Sequence, residues 1–174
     1  MNSQYSLAYP LSSNDIMKIL DNNTNVIEYS TLYNINNIDD VLKNGSCVIL
    51  YKTNINYGHW CCITTNKNKI CFFDPYGYLI DSEIKEFIDN DFGHGYYKGK
   101  KLVELLYNSK YKYIEYNDKP LQEMKTNINT CGRHCCTKII FKNKSLESYI
   151  DMCNDKSMGY NPDNFVLKLT NIFI

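Results

Sequence analysis

The stretch from residue 60 to residue 73 reads as an antiparallel hairpin, and it constrains the rest of the chain. Trp60-Cys61-Cys62-Ile63-Thr64-Thr65 is dense in β-branched, aromatic and cysteine side chains. Asn66-Lys67-Asn68-Lys69 is a turn signal, and Ile70-Cys71-Phe72-Phe73 is apolar and strand-like again. A strand, a tight turn and a returning strand bring the start of the first beside the end of the second. The residues at those ends are His59 and Asp74, 15 positions apart (74 − 59), and the hairpin makes them neighbours across one antiparallel pair. Pro75 and Gly77 end the second strand and leave Asp74 at a sheet edge or loop mouth.

A second pattern lies further on. Cys135, Cys136, Ile139 and Ile140 fall on one face of a helix. Asn129 or Thr130 stands at the N-cap position and Gly132 in the first turn, so Cys131 is expected at the N-terminus of a buried helix. There the helix dipole and the unpaired backbone N–H groups favour a thiolate and can bind a developing oxyanion. Histidine, carboxylate and cysteine are the set a thiol hydrolase needs. The cysteine attacks as thiolate, the histidine takes and returns its proton, and the carboxylate holds the imidazole in the useful tautomer.

Gly58-His59-Trp60, then Phe72-Phe73-Asp74-Pro75-Tyr76-Gly77, then Thr130-Cys131-Gly132-Arg133-His134-Cys135-Cys136, in that order, resemble the adenain family of viral maturation proteases. The SUMO-deconjugating proteases share the wider pattern. The resemblance covers roughly residues 45–142. It implies that His59 is the general base, Asp74 the orienting acid and Cys131 the nucleophile, with Cys135 and Cys136 in the core of the nucleophile helix. It further implies a glutamine that completes the oxyanion hole. The nearby glutamine is Gln122, nine positions upstream (131 − 122), with Asn127 and Asn129 as the alternative donors. Trp60 and Gly132 are the substrate-binding residues by the same resemblance, Trp60 bounding a narrow channel for a small-residue tail. The implied fold is an adenain-like, papain-like α+β cysteine protease: a central mixed sheet packed by helices, with the nucleophile at a helix N-terminus.

Composition limits the partners. Nineteen basic against nineteen acidic residues give a formal net charge of zero, so no overall basic field argues for nucleic acid. The local runs Lys98-Lys100-Lys101 and Lys110-Lys112 read as solvated faces. No run approaches a membrane span, and the polar N-terminus is no secretory signal. Eight cysteines without such a signal read as reduced thiols, with Cys47, Cys61, Cys71 and Cys136 acting as small hydrophobes in apolar runs. The chain is heavy in Asn, Ile, Lys and Tyr and has a single arginine, Arg133. Those four residues have AT-rich codons, which points to an AT-rich genome such as those of large DNA viruses and their satellites. With the resemblance, this gives a virophage-like maturation protease as the specific expectation.

The coarse organisation is α+β in one domain, residues 1–174. Helices are expected over 13–21, from Ser82 to about Asp89, over 101–108, from Cys131, and over 145–155 and 162–173, the last two as a packed pair. Strands are expected over 46–51 and 112–116, and an irregular site-forming loop over 117–130. His94, in Gly93-His94-Gly95, reads as an exposed loop residue, and His134 as core or rim packing. Zinc is the rival use of Cys131, His134, Cys135, His59, Cys61 and Cys62. Structural zinc wants two clean pairs, whereas adjacent cysteines on a strand point to opposite faces, so no metal site is expected.

The expected function is therefore a cysteine endopeptidase cutting viral capsid or core precursors at glycine-containing sites. It is expected to act as a monomer in virions and host cytoplasm, with no membrane partner and no required cofactor. The resemblance leaves room for an activating peptide or DNA. The alternatives are an isopeptidase acting on ubiquitin-like modifiers, an acyltransferase, and a catalytically silent relative that binds a tail or capsid partner.

Overall fold

The computed structural model describes residues 6–55, 57–82, 84 and 96–171. Within them the predicted hairpin, β3 (Gly58–Asn66) and β4 (Lys69–Phe73), lies at the middle of a five-stranded sheet. Its turn is made by Lys67, at a left-handed φ of 54°, and Asn68. β2 (Ser46–Lys52) pairs antiparallel to β3, with Tyr51 opposite His59. Two short strands complete the sheet at its edges, β1 (Asn25–Glu28) parallel to β2 and β5 (Tyr113–Tyr116) parallel to β4. The α+β class with a mixed sheet is thus the one expected.

Side-chain alternation along β2 and β3 builds two cores. Cys47, Ile49, Tyr51, Cys61 and Ile63 face one way, under the 3₁₀ turns Tyr29–Asn34 and Ile38–Val41 and helix α2 (Lys101–Tyr107). Val48, Trp60, Cys62 and Phe73 face the other way, under α1 (Ser13–Ile19), α3 (Cys131–Ile140) and α4 (Leu146–Cys153). Each fully buried Ile or Phe of these layers contributes roughly 1.5–3 kcal/mol relative to exposure. Ser12 caps α1 through a capping box with Asp15.

The helix α3 differs from its expected form in one respect. Its sequence pattern shows one apolar face, yet every residue from Cys131 to Ile139 is buried, and Ile140 is the one left partly exposed. The sheet covers one side of it, and α5 (Pro162–Asn171) and α1 cover others. Its polar residues therefore need internal partners, and Arg133, Thr137 and Lys138 find them. Arg133 Nη1 donates to Thr170 Oγ1 (2.6 Å) and Asn171 Oδ1 (2.9 Å), Thr137 Oγ1 to Arg133 O (2.9 Å), and Lys138 Nζ to Thr64 Oγ1 (3.2 Å).

The C-terminal region corrects a further expectation: α5 packs chiefly on α3 rather than forming a closed pair with α4. Apart from Ser82 and Ile84, the expected helix from Ser82 to Asp89 lies outside the described residues, as does the His94 loop. Lys101 and Lys110, from the two basic runs, are engaged by Glu104 and Asp39. No helix among the described residues is long and apolar enough to cross a membrane.

Candidate active site

His59 enters the site from the second residue of β3, held by the ladder to β2, and Asp74 from the position after β4. His59 Nε2 lies 2.9 Å from Asp74 Oδ1. A carboxylate only accepts, so Nε2 carries the proton of this bond, and in the neutral imidazole Nδ1 keeps its lone pair. Asp74 is fully buried and closely held. Its Oδ1 also accepts from Tyr76 N (2.7 Å). Its backbone is bracketed by Asn117, whose Oδ1 accepts from Asp74 N (2.9 Å) and whose Nδ2 donates to Asp74 O (2.6 Å). The Tyr76 ring stacks on the imidazole, centroids 4.6 Å apart and planes 16° apart. Burial pushes the Tyr76 phenol up, against the pull of nearby His59, so it remains a neutral donor and acceptor.

Cys131 is the first residue of α3. Thr130 occupies the N-cap position as expected but makes no side-chain cap bond, because its hydroxyl donates to Asp163 instead. The first N–H groups of the helix therefore lack a side-chain acceptor at the cap. Cys131, His59, Gln122 and Tyr76 line one cleft of about 460 Å³, together with Gly58, Met124, Ile128 and Asn129. All eight cysteines are buried and unbridged, and the chemistry separates them. Burial pushes the thiols of Cys71 to about 12 and Cys153 to about 11, and raises Cys47, Cys135 and Cys136 as well. Such thiols stay protonated and inert at neutral pH. Cys131 is the cysteine that lines the cleft.

Gln122 is delivered by the turn after Asp74. Pro75 O accepts from Leu121 N (2.9 Å) and Gln122 N (3.0 Å). Gly77 makes this approach possible: its φ is +73°, and a Cβ there would sit 2.6 Å from the carbonyl carbon of Lys119. The Gln122 amide Nε2 donates to Tyr76 Oη and to Ile128 O, both at 3.1 Å. Both of its N–H groups are thus in use, and an oxyanion would have to take over the bond now made to Tyr76. Of the alternative donors, Asn129 lines the cleft and donates to Ala8 O (2.9 Å), and Asn127 is exposed on the loop.

Trp60 and Gly132 require a correction. Neither lines the cleft. Trp60 is 6% exposed, in the core beneath α3, and its indole N–H donates to Leu11 O (3.0 Å). A Cβ on Gly132 would lie 3.1 Å from Leu11 Cβ and 3.2 Å from Trp60 Cδ1. Alternation explains it: Trp60 points to the opposite face of β3 from His59. The tryptophan and glycine seat the start of α3, and the cleft walls come from Tyr76 and the 117–130 loop.

Sequence reasoning missed a second His–Asp pair. His134 Nε2 lies 3.1 Å from Asp163 Oδ1, and both side chains are fully buried. Asp163 also accepts from the Thr130 hydroxyl and, through Oδ2, from Glu123 N (2.9 Å). One carboxylate thereby ties together α5, the residue after Gln122 and the residue before Cys131. Burial raises the Asp163 carboxyl, but the bonds and attraction from His134, with those from Thr130 and Glu123, outweigh it and hold the group below the ordinary carboxylate value. The 32 positions separating Asp163 from Cys131 (163 − 131) offered no signal. Tyr76 and Asn117 were missed as well. Tyr76 stood inside the Asp-Pro-Tyr-Gly motif, where its aromatic character was the available clue.

For a metal, the ligand-type atoms of His59, Cys61 and Asp74 lie within 4.8 Å of one another. A cation there would have to displace the His59–Asp74 hydrogen bond. The grouping expected to rival the triad, with Cys131, His134 and Cys135, is not the one assembled.

No family model matches the chain. Over 167 residues it is 34% identical to Uncharacterized protein V9 of Sputnik virophage, covering 92% of this chain and 93% of the relative. The chain belongs to the family of that virophage protein. The expected virophage connection is thereby met. Among solved structures, the chain is similar to ChlaDub1 from Chlamydia trachomatis, at 11% identity and a TM-score of 0.47, covering 95% of this chain and 91% of that one. It is also similar to the C-terminal Ulp1 protease domain in complex with SMT3, the yeast ortholog of SUMO, at 14% identity and a TM-score of 0.42, covering 96% of this chain and 79% of that one.

Proposed function

We propose that this chain is a cysteine endopeptidase of adenain-like type, with Cys131 as nucleophile, His59 as general base and Asp74 as its orienter. The observation that carries the reading is the 2.9 Å His59 Nε2–Asp74 Oδ1 bond in the same cleft as Cys131, at a helix start with no side-chain cap. The bond to Asp74 leaves Nδ1 as the basic nitrogen. Nδ1 takes the thiol proton, and the Cys131 sulfur attacks the scissile carbonyl carbon. The resulting oxyanion is met by N–H groups of the first turn of α3 and by the Gln122 amide. The imidazolium returns its proton to the departing amine as the C–N bond breaks, which leaves a thioester on Cys131. Water, deprotonated by His59, then hydrolyses that thioester and frees the thiol.

The substrates in this reading are viral structural precursors, cut beside glycine-containing sequences. The virophage relative supports the viral setting. With Trp60 out of the cleft wall, selection for small residues falls to Tyr76 and the loop bearing Gln122.

The test is cleavage of capsid-precursor peptides and of ubiquitin-like fusions, side by side, by wild type and Cys131→Ala. The proposal expects precursor cleavage that Cys131→Ala lacks, blocked by a thiol alkylating agent. Cleavage of fusions alone would make the chain a deconjugating isopeptidase. Equal turnover by Cys131→Ala would overturn the nucleophile.

A further inference from the structure

A cavity of about 290 Å³ lies at the opposite end of α3 from Cys131, between the β3–β4 turn and the segment leading into α4. Lys67, Lys69, Lys138, Lys142 and Lys144 line it against a single carboxylate, Glu115. In a chain whose formal net charge is zero, five lysines lining one cavity are a strong local concentration of charge, although the Lys142 ammonium donates to Asn44 O. Glu115 is already engaged by Lys69 at 2.5 Å.

Lys138 makes this more than a set of surface lysines. It is 1% exposed, it lines the cavity, and no carboxylate among the described residues pairs with it. Its surroundings are neutral: the Thr64 hydroxyl at 3.2 Å, the Tyr149 ring with its centroid at 5.4 Å, and the Cys71 and Cys153 thiols, which burial keeps protonated. A buried ammonium without a counter-ion is costly, and an anion in the adjoining cavity relieves that cost. Ser145, the N-cap of α4, stands at the rim and adds the positive end of that helix.

We propose that this cavity binds a compact phosphate-bearing anion, with Lys138 at its base and Lys67 and Lys144 around it. The lysines determine the class of ligand. Lysine acts as a point charge, whereas arginine offers a planar fork. The chain's single arginine is committed elsewhere, to Thr170 and Asn171. A site built from point charges selects charge density, so an oligophosphate is favoured over a carboxylate. Bound there, it would bridge the hairpin turn and the segment after α3, and so stabilise the folded chain by mass action.

Thermal unfolding and calorimetric titration with sodium tripolyphosphate, ionic strength held constant with NaCl, test this without reference to activity. The wild-type chain should show saturable binding and a rise in melting temperature that NaCl alone does not give. The exposed pair Lys67→Gln/Lys144→Gln, which makes no core contact, should weaken binding by roughly tenfold, equivalent to about 1.4 kcal/mol. Lys138→Met, close in shape, should lose the response, and the surface pair decides the matter if that variant fails to fold. No saturable response in the wild type, an undiminished one in the surface pair, or binding of oligonucleotides but not of tripolyphosphate would overturn the proposal.

Discussion

Two His–Asp pairs stand near Cys131, and they are alike in the bond itself: 2.9 Å for His59–Asp74 and 3.1 Å for His134–Asp163. They differ in what surrounds them. The first borders the cleft through His59, which is 8% exposed. The second is sealed, and its carboxylate is saturated by Thr130 and Glu123 as well as by His134. A His–Asp pair is thus not a catalytic site in itself. Access and a third reacting group make one pair a candidate for chemistry, and closure makes the other a clamp that fixes where Gln122 and Cys131 sit.

The largest effect should come from breaking the first pair or its thiol. Cys131→Ala and His59→Ala are each expected to lower kcat by about 10⁴-fold or more, with melting temperatures near wild type, since a nucleophile and its base act as a unit. Asp74→Asn should cost less than either. The contrast collapses if His134→Phe abolishes turnover in a fully folded chain while His59→Ala does not.

Breaking the second pair should appear first as lost stability. Asp163→Ala strands His134, the Thr130 hydroxyl and the Glu123 N–H in a sealed core, at a cost of about 3–5 kcal/mol. The pH dependence has a definite sign. The folded-state value of Asp163 is depressed below 3.8, so its contribution is fully present above the unfolded value near 3.8 and is lost as pH falls through the lower folded one. Wild type should therefore lose stability below about pH 4 more steeply than Asp163→Asn. Parallel acid limbs in denaturant titrations would count against the clamp.

Gln122→Ala is expected to reduce kcat by roughly 10²-fold with little change in KM, as for a lost oxyanion donor. Because the same amide holds Tyr76 Oη, Tyr76→Phe separates the two duties. It removes the anchoring bond and leaves the amide free for an oxyanion, so activity should fall only a few-fold. A rise in KM at constant kcat for Gln122→Ala would make it a substrate-binding residue.

Much of the first pair was legible in the sequence, because a hairpin is a local object. The apolar runs and the turn follow from neighbouring residues, so the approach of His59 and Asp74 could be derived, although the observed register pairs Cys62 with Phe73 and so sets Asp74 diagonal to His59 rather than directly opposite it. The start of α3 at Cys131 was local too. Trp60 failed because a strand alternates: the residue beside a site histidine faces away from it. Asp163, Asn117 and the lysine cavity failed for a different reason. Each is assembled from segments far apart in the chain, and nothing near Asp163 in the sequence marks it as a partner of residues 123, 130 and 134. α5 misled similarly, since its partner surface is on α3, buried on every side, where polar residues such as Arg133 and His134 disguise a core helix as an amphipathic one.

The smallest effect concerns how closely the clamped helix start is seated. Gly132 has no room to spare: a Cβ would stand 3.1 Å from Leu11 Cβ, 3.2 Å from Trp60 Cδ1 and 3.4 Å from Ile16 Cδ1. None of these contacts is so short that the helix must unseat, and Ile16 Cδ1 is the end of a flexible side chain. Helix propensity favours alanine over glycine by roughly 1 kcal/mol, and overpacking typically costs about 1–3 kcal/mol. The net expectation for Gly132→Ala is a loss of about 1 kcal/mol, with a loss of kcat of tenfold or less as Cys131 shifts slightly relative to His59. Leu11→Gly in the same chain removes the Cβ that makes the tightest contact, at a residue outside the cleft. Combined with Gly132→Ala it should restore kcat, because the fault is a displaced helix start, even though the core without the leucine side chain is less stable than that of Gly132→Ala alone. If kcat does not recover when Leu11 is trimmed, Gly132 matters for something other than the seating of α3, and contact with substrate, the role expected from the sequence, becomes the better account.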